Sequence, residues 1–323
     1  MATILLPTHA YEEHLPELLE RLGAGDTAEE IAVDFSAVVF WSPGALVLLL
    51  AKVESWRGKN KRVVFHNCKE CPAFRYLQRF NFFAVCGLQM AEDFRRHDAG
   101  SRFVELRRIG GQGSASVAEL STDIAHCLSP DAANVDDPEE SGLFDVIEYS
   151  VSELALNVNQ HAKATGFAMA QYTPRTDLVR VAIADHGIGI LRSFTENGSP
   201  VCKPGWTDAD AIGAALQPKV SSKLHLPSPW GEPVNAGVGL TLLRELCIQT
   251  GGHFFLASGN GVFLQMADRG QPQPKMLPSY FQGTICVLAF VRGQISNYPE
   301  LMHKAKQSLG LLPSSEKFGS LFQ

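Results

Sequence analysis

From its amino terminus the chain alternates short apolar runs with stretches that show one apolar face at helical spacing. "TILLP" reads as a strand, and Leu15, Leu18, Leu19 and Leu22 share one side of a helix ending near Gly23. "EIAVDFSAVVFW" alternates enough to be one buried strand. Gly44 to Trp56 is a helix, "KRVVFHN" a strand, and Phe74, Leu77 and Phe80 mark another helix. The polar stretch "AEDFRRHDAGS", 91–101, is a linker or domain edge. After it the pattern predicts a strand at Phe103–Ile109, a helix at Ser116–Leu128, an acidic Pro-containing loop and a helix containing "SELALNVNQHA". Strands follow near Phe167–Tyr172 and Val179–Asp185, then a helix at Val238–Thr250 and strands near His253–Ser258, Gly261–Met266 and Thr284–Phe290. Strands alternating with helices imply an α/β layer structure. Between Asp185 and the last helix lies a Gly/Pro/Ser-rich region, 191–236. Loops of more than about 15 residues inside a domain are usually functional or disordered. This one sits between two glycine motifs, which favours a lid.

Length and composition narrow the picture. At 323 residues two cores are expected, divided as 1–95 and 96–292, with a helical tail at 293–323. With 45% hydrophobic and 19% charged residues the chain has ample core material. A net charge of −6 provides no overall basic footprint, so no nucleic-acid partner is expected. The longest apolar run, Ala45–Ala51, stops at Lys52, far short of the roughly 18 residues a membrane span needs. The amino terminus carries no basic residue before its apolar run, unlike a secretory signal, and the expected location is the cytoplasm. Seven scattered cysteines suit reduced thiols better than a disulfide framework.

The chemistry begins in "SELALNVNQHA". At about 100° per residue, Ile147, Val151, Leu154 and Val158 form one narrow stripe, with Glu153, Asn157 and His161 in a second stripe beside it. A carboxylate and an amide one turn apart at the edge of a core suit two linked tasks. The Asn oxygen is a hard ligand for Mg²⁺, and the Glu can take a proton from an attacking water or hydroxyl. "VAIADHGIGI" then places Asp185 at a strand end before Gly187 and Gly189, and "NAGVGLTLLREL" places Gly237 and Gly239 at a helix start. Glycines let backbone N–H groups approach phosphates, and a helix N-terminus adds donors and a favourable dipole.

The order E-x-x-x-N-x-x-x-H, D-x-G-x-G, long loop, G-x-G-L resembles the ATP-binding domain shared by DNA gyrase, histidine kinases and anti-sigma-factor kinases, over about residues 102–292. The resemblance implies a Bergerat-type α/β sandwich with a mixed sheet, ATP and Mg²⁺ held between helices, and a mobile ATP lid. It implies Glu153 as catalytic base, Asn157 as Mg²⁺ ligand and Asp185 as reader of the adenine amino group. Gly187 and Gly189 would shape the adenine side, Gly237, Gly239 and Leu240 would border the phosphates, and Thr284 would support the adenine contact. His161 ends the Asn helix, as in anti-sigma-factor kinases, and is not taken as a phospho-acceptor. The segment "KVSSK", Lys219–Lys223, carries hydroxyl and ammonium groups suited to a terminal phosphate, or is a solvated loop.

Residues 29–90 resemble the STAS domain of anti-sigma-factor antagonists. The matching pieces are "VDFS", the turn "FWSPGA", "RGKNKRVVFHN" and "AFRYLQRF". Ser42 aligns with the family's phosphorylated serine, although Trp41 and Pro43 replace the flanking Asp and Ser; helix capping is its alternative role. Two other signals carry less. "HNCKEC" offers Cys68 and Cys71, with Cys86 as a further candidate, but a zinc site wants two well-spaced ligand pairs, and ordinary thiols are preferred. "GGQGSAS" lacks a P-loop Gly-Lys-Ser/Thr and reads as a turn with a capping serine.

The expected function is an intracellular ATP- and Mg²⁺-binding regulatory protein, a nucleotide-dependent switch acting on a protein partner, with phosphoryl transfer to a protein serine as its reaction. The alternatives are a slow ATPase whose lid closure drives homodimerisation, and a non-catalytic interaction module.

Overall fold

The computed structural model describes residues 1–97, 99, 101–110, 114, 116–129, 142–162, 164–223, 237–270, 272–295 and 297–312. In the N-terminal part, strands β1 (Ala2–Leu5), β2 (His9–Ala10), β3 (Glu30–Asp34), β4 (Phe40–Trp41) and β5 (Arg62–His66) alternate with helices α1 (Leu15–Gly23), α2 (Pro43–Gly58), α3 (Phe74–Arg79) and α4 (Phe82–Val85). Strands β1, β3 and β5 form a parallel sheet with β3 in the centre, and β2 pairs with β4. The single strand expected over "EIAVDFSAVVFW" is instead β3 and β4. The Asp34 carboxylate accepts the Ser36 N–H at 2.8 Å, an Asx turn that an apolar pattern conceals.

The remainder builds β6 (Phe103–Ile109), α5 (Val117–Leu128), α6 (Gly142–Asn157), β7 (Gly166–Thr173), β8 (Leu178–Asp185), α7 (Ile190–Glu196), α8 (Asp208–Ala215), α9 (Gly239–Gln249), β9 (His253–Met266), β10 (Lys275–Val291) and α10 (Tyr298–Ser308). Ser116 caps α5 in a reciprocal pair with Glu119, the capping role read from the sequence. Five strands pair in the order β6-β7-β8-β10-β9. Every described pairing in this sheet is antiparallel, where a mixed sheet was expected; parallel pairing is confined to the N-terminal part. Two successive helices between β6 and β7 return the chain to the end where β6 finished, which sets that pair antiparallel. Among the described residues the protein is thus a mixed α/β structure with two parallel sheets, of three and two strands, and one five-stranded antiparallel sheet. Region 191–236, expected as loop, contains α7 and α8 among its described residues, the second started by a Thr207–Asp210 capping box. Positions 224–236, the C-terminal end of the expected lid, lie outside the described residues. The two strands expected over 253–266 are one, because Gly259, at φ +60°, carries the chain through without a break.

The five-stranded sheet is covered on both faces. Ala168, Ala170, Val181, Ile183, Leu256 and Leu288 face α5, α6 and α9. Phe167, Met169, Ala182, Ala184, Ala257, Ile285 and Val287 face α1 and α2. Helix α2 also packs on β5, so it lies between two sheets and is buried around its whole circumference from Pro43 to Val53. This is why its sequence is apolar without a polar face. Two polar ties reinforce the contact. Arg180 on β8 meets Glu12 at 3.1 Å with both side chains buried, and the Lys52 ammonium donates to Asp26 at 2.8 Å and to the Tyr280 carbonyl at 2.6 Å. Among the described residues no helix is long and apolar enough to cross a membrane.

Candidate functional site

The stripe Ile147, Val151, Leu154 and Val158 is buried as read, and it seats α6 against the sheet. Glu153 and Asn157 are carried to the helix edge, where both line a cavity of about 320 Å³. Past Asn157 the helix widens into a π-helical turn, Val158–Ala162. Such turns are rare and frequent at functional sites. His161 belongs to this turn, and its side chain lies outside the described residues.

Strand β8 delivers Asp185 to the same cavity. Its carboxylate is 4% exposed, and one oxygen accepts the Gly187 N–H at 2.8 Å and the Thr284 N–H at 3.3 Å. Burial pushes its pKa up from 3.8 to about 7, against the downward pull of those two N–H donors. Desolvation also raises Glu153, so both carboxyls hold protons more tightly than in water.

The glycines are fixed by close approach. A Cβ on Gly187 would lie 2.0 Å from the Ala162 carbonyl oxygen, because the turn after Asp185 is pressed onto the π-helical turn. Gly187→Ala is therefore expected to cost about 1–3 kcal/mol, since both sides of the clash are backbone; urea unfolding of the variant measures it. Gly189 adopts φ +78°, and the next N–H, of Ile190, donates to Ser258 Oγ at 2.8 Å. A Cβ on Gly239 would lie 2.2 Å from Glu153 Oε2, so a glycine there lets the carboxylate sit against the start of α9.

Of the nine residues singled out around this chemistry, Glu153, Asn157, Asp185, Gly189, Gly237, Gly239, Leu240 and Thr284 line the one cavity. Gly187 stands behind Asp185. Beside Ser222 of the "KVSSK" segment, sequence reasoning missed Gln160 and Ser193 in the polar wall, and the brace at Ser258. Isolated serines and glutamines carry no signal of spacing. The "KVSSK" segment is held by the protein itself. Val220 N–H donates to the Gly237 carbonyl at 3.2 Å, Ser222 Oγ bonds Ser193 Oγ at 2.9 Å, and the Lys223 ammonium donates to the Gln160 carbonyl at 2.5 Å.

Ser42 stands elsewhere. It occupies the N-cap position of α2, on the sheet face opposite the cavity, fully buried and with its hydroxyl unpartnered, so its side chain neither bonds the helix end nor faces the pocket. Cys68, Cys71 and Cys86 are buried free thiols, raised by burial to about 11, about 11 and about 12. Among the described residues no group of three or more His, Cys, Asp or Glu side chains could hold a metal ion. Comparison with protein-family models, curated proteins and solved structures finds no match for this chain.

Proposed function

We propose that the chain is an ATP- and Mg²⁺-binding regulatory protein of the kind shared by gyrase, histidine kinases and anti-sigma-factor kinases, its N-terminal part STAS-like. The observation that carries the reading is convergence. Motifs separated by more than a hundred positions in the sequence, from Glu153 to Thr284, meet at one cavity.

The residues fit the ligand. Asp185 offers a buried acceptor for an exocyclic amine, between apolar walls that include Ile183, Leu256 and Ile190. Glycines 237 and 239 leave backbone uncovered at the start of α9, where N–H groups and the helix dipole favour phosphate. Mg²⁺ keeps several waters and binds few protein oxygens, which suits a site where Asn157 would be the residue that holds it. When bound, the metal neutralises phosphate charge. Glu153 takes the proton of the acceptor hydroxyl, and its desolvated setting makes it a stronger base than a carboxylate in water.

In the proposed reaction a protein serine is the acceptor. Ser42 of the same chain is on the far face of the sheet, so transfer to a separate protein accords better with the fold than transfer in cis. Glu153→Ala is expected to abolish turnover while leaving Mg-ATP affinity within about threefold, because a general base contributes to the transition state far more than to ground-state binding. Radiolabelled ATP with calorimetry on the same variant separates the two effects. Simultaneous loss of both would remove Glu153 from this role. Label recovered as free phosphate and not on protein would favour the slow-ATPase alternative.

A further inference from the structure

We infer that Gln282 is a positioning residue through which α2, on the back of the sheet, braces the turn that holds Asp185; the inference rests on the nucleotide reading of that pocket. Strand β10 has a register irregularity between Phe281 and Thr284. A bulge of this kind re-aims side chains beside functional sites. Without it, Gln282 and Thr284 would share a face. With it, Thr284 lines the cavity while Gln282 turns towards α2.

The Gln282 amide joins two elements. Its Nε2 donates to the His186 carbonyl at 3.2 Å, and its Oε1 accepts from Ser55 Oγ on α2 at 3.4 Å. His186 is the residue after Asp185. Next along β10, Gly283 at φ +106° approaches the Asp185 carbonyl so closely that a Cβ would lie 2.1 Å from it, and Thr284 N–H reaches the Asp185 carboxylate. The segment from Tyr280 to Thr284 therefore bonds α2 at Tyr280 and Gln282 and meets the Asp185 turn at Gln282, Gly283 and Thr284. Lys52, one helical turn before Ser55, anchors the same segment by its bond to the Tyr280 carbonyl. On the back side the charged neighbours of His186 are Glu54 and Arg108, which pair at 3.7 Å. The consequence is regulatory: whatever shifts α2 on the sheet alters how firmly the turn presents Asp185, with no contact to the ligand.

The test is Gln282→Met, which keeps length and removes both hydrogen bonds. Amide exchange of the protein without nucleotide is followed at Gly187, whose N–H donates to Asp185, and Mg-ATP affinity is measured from pH 6 to 9. Loss of the brace is expected to speed exchange at Gly187 by about fivefold, the equivalent of one neutral hydrogen bond, while central amides of β9 and β10 keep wild-type protection. The Gly187 donor holds the Asp185 pKa down, so loosening it moves the pH midpoint of binding upward. Unchanged exchange at Gly187, faster exchange throughout the sheet, or an affinity loss equal at every pH would each overturn the proposal. If the wild-type protein fails to bind Mg-ATP, the nucleotide reading falls, and exchange at Gly187 still decides whether Gln282 braces the turn.

Discussion

Asp185→Asn is expected to abolish Mg-ATP binding, by at least about a hundredfold, without unfolding the protein. Among the described residues that line the cavity the Asp185 carboxylate is the buried one, and its other duties are to two backbone N–H groups. An Asn oxygen can keep those N–H bonds, but its NH₂ then meets the adenine amine donor to donor. A buried mismatch of this sort leaves groups unpaired and costs far more than an absent contact. Calorimetric titration of both proteins reads the result. Equal affinity would remove Asp185 from the ligand.

The same carboxyl sets two opposite pH trends. A proton on Asp185 would compete with the amine for the free carboxyl oxygen, so wild-type affinity should fall by up to about tenfold per unit as pH drops below about 7. Stability moves the other way. The folded protein binds the Asp185 proton more tightly than the unfolded chain does, so this group's contribution is complete below pH 3.8 and is lost as pH rises through about 7. Denaturation midpoints across that window should carry this slope in the wild type and lack it in Asp185→Asn.

The largest effect on stability is expected from Glu12→Ala. Arg180 is buried in the sheet, its Nε directed at the Glu12 carboxylate and its Nη1 at Thr173 Oγ1 at 3.1 Å. Removing Glu12 leaves a desolvated guanidinium with one neutral partner, a loss of about 3–5 kcal/mol. Replacing both residues with Met should recover most of that loss, because a buried pair that has already been desolvated exchanges with apolar side chains at little net cost. Guanidinium unfolding of the single and double variants forms the comparison. A single variant as stable as the wild type would mean that the pair is solvated in solution.

The elements that were legible in the sequence are those with strong local periodicity. The stripe on α6, the four-leucine face of α1 and the ends of β7 and β8 are all set by side chains a few positions apart. The pocket residues were legible for a different reason: an ordered set of motifs has few chance occurrences even when each motif is weak. What stayed hidden depends on partners distant in sequence. The Asx turn at Asp34 divides an apolar run that reads as continuous. Helices α7 and α8 are short, and α8 owes its start to the Thr207 cap more than to a stripe. Ser258 matters because it joins two distant segments: its hydroxyl accepts the Ile190 N–H at 2.8 Å and donates to the carbonyl of Gly283, twenty-five positions later, at 2.9 Å. The widening of the helix after Asn157 had no sequence cue at all.

Helix α2 has a consequence for molecular traffic. It is covalently attached to the sheet it covers, so its local concentration there is fixed by the chain and independent of expression level. A protein that would use the back of the sheet as a landing surface meets an intramolecular rival already in place, and must exceed that effective concentration to displace it. The back of the sheet is thereby reserved for the chain itself.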